Sequence, residues 1–177
     1  MRKLVQFVLP IQGLKPGIQE YQFDIDKSFF DAFEHSLIHE GKLKVEVVVD
    51  KQPTLISLEI RSVGTVVTEC DRCLDPIELP VEGEEYISIK YSNDPENKED
   101  DDEVIYISPK ASELDISKLI YDCISLSLPI RKVCDDVPGK SCNPDALKYI
   151  QKASEEDNDG KDDGSVWDKL KGLSLDD

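Results

Sequence analysis

The sequence has no apolar run approaching the ~18 residues that a membrane-spanning helix needs, so no membrane segment is expected. Behind Arg2 and Lys3 stands only Leu4-Val5-Gln6-Phe7-Val8, too short for the apolar core of an export signal and without a small-residue cleavage site. A cytoplasmic chain is therefore expected, and with it reduced thiols or a metal site, not a disulfide framework. Glycines are few (9 of 177) and none forms a phosphate-cradling loop or a nucleophile elbow. Aromatic residues make up 7 %, and none interleaves with cations as a platform for single-stranded nucleic acid requires. There are only two histidines, His35 and His39. Their i, i+4 spacing suits a metal on a helix, but no third ligand accompanies them, and a solvated helix face is the plainer reading. No catalytic residue is expected.

Positive charge is also scarce: 21 Lys and Arg against 38 Asp and Glu give a formal charge of −17. Taken whole, such a field repels nucleic acid and favours basic partners. The deficit is concentrated, however. Residues 93–103 and residues 153–177 each carry −6, so the rest of the chain carries only −5, and 131–152 is +2. The first stretch lacks apolar anchors and reads as a mobile loop, and the second reads as a largely disordered tail. Within the tail, 166–173 is a short amphipathic piece with Val166, Trp167, Leu170 and Leu173. Residues 1–152 then form a single domain.

The remaining pattern is α+β. A strand is expected at 4–8 and another at 18–24. Phe29, Phe30, Phe33 and Leu37 recur at helical spacing behind Asp26, an N-cap residue, and predict a helix over 27–39. From 42 to about 91 the period becomes two. Leu43, Val45, Val47 and Val49 alternate with polar neighbours, as do Ile56, Leu58 and Ile60 beyond the Gln52-Pro53 turn. Gly64 reads as a break or bulge, 77–91 as one or two strands, and 104–107 as one more. Ile116, Leu119, Ile120, Cys123 and Ile124 stripe a helix over 116–128 that Asp115 can cap and Pro129 stops. Asn143-Pro144 opens a last helix running to about Lys152. The architecture expected is a mainly antiparallel sheet or partly open β-barrel with two or three packed helices, an acidic loop and an acidic tail.

Five cysteines is an odd number. Cys123 lies on the apolar stripe of its helix, where a free cysteine packs as a small hydrophobe. That leaves Cys70 and Cys73, spaced as in a zinc knuckle at a turn forced by Asp75-Pro76, and Cys134 and Cys142, which flank a seven-residue loop. Four thiolates could close one tetrahedral structural zinc site. Four unligated thiols is the alternative reading, and strand-like sequence after Cys73 argues against a thioredoxin-type redox pair. If the pairs meet, Arg72, Arg131, Lys132 and Lys140 would lie near one another, a local set of cations able to contact RNA or a partner.

Cys70-Asp71-Arg72-Cys73-Leu74 with Pro76, then Leu126-Ser127-Leu128-Pro129-Ile130 followed by Cys134 and Cys142-Asn143-Pro144, and finally Trp167-Asp168-Lys169-Leu170, resemble in this order the YceD-like family, the large ribosomal RNA accumulation proteins. The chain departs from that family in two places. It has only Cys134 and Cys142 where many members have a richer cysteine cluster, and Asp163-Gly164-Ser165-Val166 where Asp-Pro-Arg is usual. The resemblance implies a role in accumulation or processing of large-subunit rRNA in bacteria or plastids, a gene often beside that of a large-subunit ribosomal protein, and no catalytic residue. The expected function is a non-enzymatic assembly factor whose partner is a large-subunit rRNA precursor or a basic large-subunit ribosomal protein. A zinc-stabilised RNA-binding module comes second and an rRNA-processing enzyme last.

Overall fold

A computed structural model describes residues 4–95 and 104–150. After a 3-10 turn at Val5–Phe7, the elements are β1 (Val8–Leu9), β2 (Gly17–Ile25), α1 (Lys27–Phe30), β3 (Glu40–Lys51), β4 (Leu55–Glu69), β5 (Pro76–Tyr91), β6 (Val104–Ile107), β7 (Leu114–Asp115), α2 (Ser117–Leu126) and a helix α3 over 144–150. Five strands form one sheet in the order β2-β3-β4-β5-β6, and β1 pairs with β7 in a small second sheet.

The alternating sequence dictates a sheet with one dry and one wet face. Register keeps the apolar sets of neighbouring strands together: Val45 stands opposite Ser62, Val47 opposite Ile60 and Val49 opposite Leu58, while Ile56 stands opposite Ile89 and Leu58 opposite Ile87. These side chains are buried almost completely. Glu46, Arg61 and Glu84 form a row on the other face. Over the dry face lies α2, whose Ile116 approach and Ile120, Cys123 and Ile124 stripe bury as their spacing predicts. The Asp115 carboxylate caps it, accepting from the Ser117 N–H at 2.9 Å. The other end of the core is aromatic: Phe7 contacts Phe23 and Phe29 at 5.1 and 4.9 Å, and Phe33 stacks on Tyr121 at 4.2 Å.

Helix α2 comes close to the sheet because small residues lie under it. A Cβ on Gly83 would stand 2.9 Å from the Cys123 carbonyl and 2.9 Å from Ser62 Oγ. The sequence at that point reads Gly83-Glu84-Glu85, with nothing local to announce a helix contact.

The architecture is the expected α+β one with a mainly antiparallel sheet, open and with a single parallel pair, β6 beside β5. The α2-capped core needs only one sheet face, so closure brings no further burial. The one or two strands expected over 77–91 are a single sixteen-residue strand. Other expectations change. Gly64 neither breaks nor bulges β4, because its pairing with Leu43 and Val81 continues the register on both sides. The helix expected over 27–39 stops at Phe30, although Asp26 caps it as foreseen, accepting from the Ser28 N–H at 2.8 Å. Phe29 and Phe30 are already buried there, and His35 turns the chain through a left-handed conformation (φ 61°) towards β3. The two histidines therefore share no helix face, and His39 Nε2 lies 3.4 Å from Glu69. The strand expected at 4–8 is a 3-10 turn followed by the two-residue β1, since its partner β7 offers only two residues. Most of the acidic loop 93–103, the whole tail 153–177 and its amphipathic piece 166–173 lie outside the described residues.

Candidate metal centre

Strand β4 ends at Glu69 and hands the chain directly to Cys70. The Leu74 N–H donates to the Cys70 carbonyl and the Cys70 N–H to the Asp75 carbonyl, both at 2.9 Å, which closes a tight turn before Pro76 opens β5. Within it the Arg72 N–H points at Cys70 Sγ at 3.5 Å. Leu74 takes a left-handed backbone (φ 62°) and remains exposed. The other half of the site follows α2. Cys134 opens a 3-10 turn over Cys134–Asp136, and Cys142 precedes Asn143. The Asn143 side chain caps α3 as expected, accepting from the Asp145 N–H at 3.0 Å.

Two reciprocal bonds strap the halves together. The Asp71 N–H donates to the Lys132 carbonyl at 2.7 Å, and the Asp71 carboxylate accepts the Lys132 N–H at 2.6 Å. This brings Cys70 Sγ within 3.8 Å of Cys142 Sγ, and Cys73 Sγ within 3.6 Å of Cys134 Sγ. All four sulfurs lie within 4.8 Å of one another. The separations are far beyond a disulfide bond of about 2.05 Å. The two cross-loop separations match the edge of a tetrahedron whose centre is about 2.3 Å from each sulfur, which is about 3.8 Å. All four thiols are buried. Cys123, as its helical position predicts, stays apart, packed against Ser62 with Sγ 3.7 Å from Oγ.

The thiols do not titrate alike. Burial opposes ionisation of Cys70, but the N–H groups of Cys73, Arg72 and Cys134 outweigh it and bring its pKa down to about 6. Burial, then the neighbouring thiols, push Cys134 up to about 12, and burial raises Cys142 as well. One thiolate forms readily and repels the next, a field that a dication at the centre would reverse.

Arg72, Arg131, Lys132 and Lys140 flank these thiols, but acids in the same loops meet them. Arg72 pairs with Asp135 at 2.6 Å, Arg131 with Asp136 at 3.0 Å and Lys132 with Asp71 at 3.2 Å, while Lys140 donates to the Pro76 carbonyl. Sequence reasoning missed Asp71, Asp135 and Asp136 as partners. Their only signal was position inside the two cysteine loops. Each exposed pair is worth little, about 0–1 kcal/mol, but together they leave the surface around the thiols close to neutral.

The Lys132 N–H, and then its side chain, hold the Asp71 carboxyl below its ordinary 3.8. A carboxyl lowered on folding contributes stability that is present above pH 3.8 and is lost as pH falls below it. Asp71→Asn is therefore expected to lower the melting temperature by a few degrees at neutral pH and by less below pH 3. Melting curves between pH 2.5 and 7 check this, and an unchanged difference across that range would refute it.

Among the described residues, no helix is long and apolar enough to cross a membrane. A family model described as "Large ribosomal RNA subunit accumulation protein YceD" matches residues 58–174, which take in most of β4, all of β5 and α2, and both cysteine pairs. No curated protein and no solved structure matches the chain.

Proposed function

The chain belongs to the YceD family of large ribosomal RNA subunit accumulation proteins, and from that premise we propose that it supports accumulation of large-subunit rRNA as a non-enzymatic factor that binds a basic ribosomal protein. In this reading Cys70, Cys73, Cys134 and Cys142 hold one structural zinc. The observation that carries the metal assignment is the tetrahedral fit of four buried sulfurs from two loops more than sixty residues apart. Zinc there would neutralise thiolates and cross-link the β4–β5 turn to the loop before α3. If RNA were the direct partner, Arg72, Arg131 and Lys132 would meet it by exchanging the ion pairs they now make, and Lys140 by leaving the Pro76 carbonyl.

Protein is favoured over RNA as the direct partner. Three of the four cations near the thiols, Arg72, Arg131 and Lys132, are already paired with acids, and the chain carries −17 overall, which attracts basic surfaces and repels phosphate. In a strain lacking the gene, sedimentation profiles are expected to show fewer large subunits relative to small ones, with large-subunit rRNA reduced to match. A normal profile would remove the functional assignment. An Arg72→Ala, Lys132→Ala variant that lost binding to large-subunit rRNA at low salt, with binding to ribosomal protein intact, would instead favour the RNA-binding reading.

A further inference from the structure

Strand β2 is one end of the five-stranded sheet, and its nine residues pair with β3 without interruption from Gly17 opposite Lys51 to Ile25 opposite Leu43. Among the described residues, no backbone bond of this strand runs to anything but β3. Half of its N–H and C=O groups therefore point outward along an open edge. Proteins commonly block such edges with proline, lysine, a bulge or a covering segment. The stretch Gly-Ile-Gln-Glu-Tyr-Gln-Phe-Asp-Ile has no proline, no lysine and no bulge. The opposite edge, β6, is only four residues long.

The side chains of β2 specify what an added strand should carry. Its wet face presents Ile18, Glu20, Gln22 and Asp24, with two carboxylates and no cation. The next residues inward on that face are mixed but still net negative. Asp50 stands opposite Ile18, Val48 opposite Glu20, Glu46 opposite Gln22 and Lys44 opposite Asp24, while Arg61 is already held by Glu59 and Glu84. A groove of about 460 Å³ opens here, with Gln22, Asp24, Lys44, Glu46 and Arg61 in its lining. The dry face ends in Tyr21 and Phe23, which are only half buried and have no neighbour beyond them in the sheet.

We propose that the β2 edge takes an extended basic segment of the protein partner by strand addition. Lysine or arginine would meet Glu20 and Asp24 on one face, and apolar residues would extend the core past Tyr21 and Phe23 on the other. Backbone hydrogen bonds give such docking its affinity, and alternate side chains give it specificity. The idea rests on the basic-protein reading of the function and adds to it the place and the form of contact.

The probe is a ten-residue peptide alternating lysine with valine, added to the full chain at low salt while amide hydrogen exchange is followed. Alternate amides within 17–25 are expected to slow at least tenfold, and a Glu20→Lys, Asp24→Lys variant, checked for a native melting curve, to bind at least tenfold more weakly. Peptide binding that leaves β2 exchange unchanged and disappears when 153–177 is deleted would overturn the edge site but leave the basic-partner reading intact. Slow β2 exchange that depends on protein concentration alone would make a second copy the occupant and overturn the proposal. Absence of any peptide binding would overturn it as well, whereas the sedimentation profile tests the family role independently.

Discussion

Protein purified without added metal is expected to contain about one zinc per chain, and Cys70→Ser or Cys134→Ser to abolish it and lower the melting temperature by more than 10 °C. The four sulfurs already stand within 4.8 Å of one another, and the two cross-loop pairs, at 3.6 and 3.8 Å, are at the separation a tetrahedral zinc site needs. Without a cation the thiols ionise unequally, because neighbouring N–H groups bring the Cys70 pKa down to about 6 while burial and the adjoining thiols push Cys134 up to about 12. Structural zinc binding is worth on the order of 10 kcal/mol near neutral pH, comparable to the ~5–15 kcal/mol that holds a whole domain. Even half of that corresponds to roughly 10–20 °C in a chain of this length. Chelation should therefore loosen the β4–β5 turn and α3 first, since those are the elements that the site joins. Cys123→Ser is the control. Its thiol packs between α2 and Ser62, so zinc should be retained and only about 1–2 kcal/mol lost. Metal analysis and thermal melts decide the matter: a folded wild-type chain without zinc, its thiols all reactive to an alkylating reagent on partial opening, would return the site to four free cysteines.

Gly64→Val is expected to be the most damaging single substitution in the sheet, by about 3 kcal/mol or more, or roughly 6–12 °C. A Cβ at that position would stand 2.6 Å from the Leu43 Cα, and the Lys42 carbonyl lies closer still. Those atoms are backbone within the β3–β4 pairing, so no side-chain rotation relieves the clash. The strands would have to separate near Lys42-Leu43, where Leu43 is part of the buried core. At Gly83 the obstacles are a helix carbonyl and a serine hydroxyl, and α2 can shift, so Gly83→Ala should cost less than Gly64→Ala. At Gly13 a Cβ would meet Pro10 at ordinary distances of 3.4 Å or more, so Gly13→Ala should be nearly neutral. Melting curves of the three alanine variants and of Gly64→Val test this order, and a Gly64→Ala variant as stable as Gly13→Ala would refute the backbone-clash argument.

Gly64 also illustrates where sequence reading reached its limit. A glycine inside an alternating strand suggested an interruption, and the structure instead uses it for close approach with the register intact. The Phe29, Phe30, Phe33 and Leu37 spacing suggested a long helix. Only Lys27–Phe30 is helical, because the two leading phenylalanines fill the core beside Phe7 and the chain must turn back to start β3. The parallel pairing of β6 had no local signature at all.

By itself the sequence determined the period-two strands β3 to β5, the apolar stripe of α2, the caps at Asp26, Asp115 and Asn143, the separation of Cys123 from the other four cysteines, and the family. Each depends on steric and burial preferences that repeat over a few residues. Only the tertiary structure decided that Cys70 and Cys73 meet Cys134 and Cys142, that Asp71, Asp135 and Asp136 pair with Lys132, Arg72 and Arg131, and that β2 is an open edge among the described residues. Those outcomes depend on register accumulated across four strands and on a helix seated over Gly83. They are sums of many distant contacts, and no short stretch of the chain contains them.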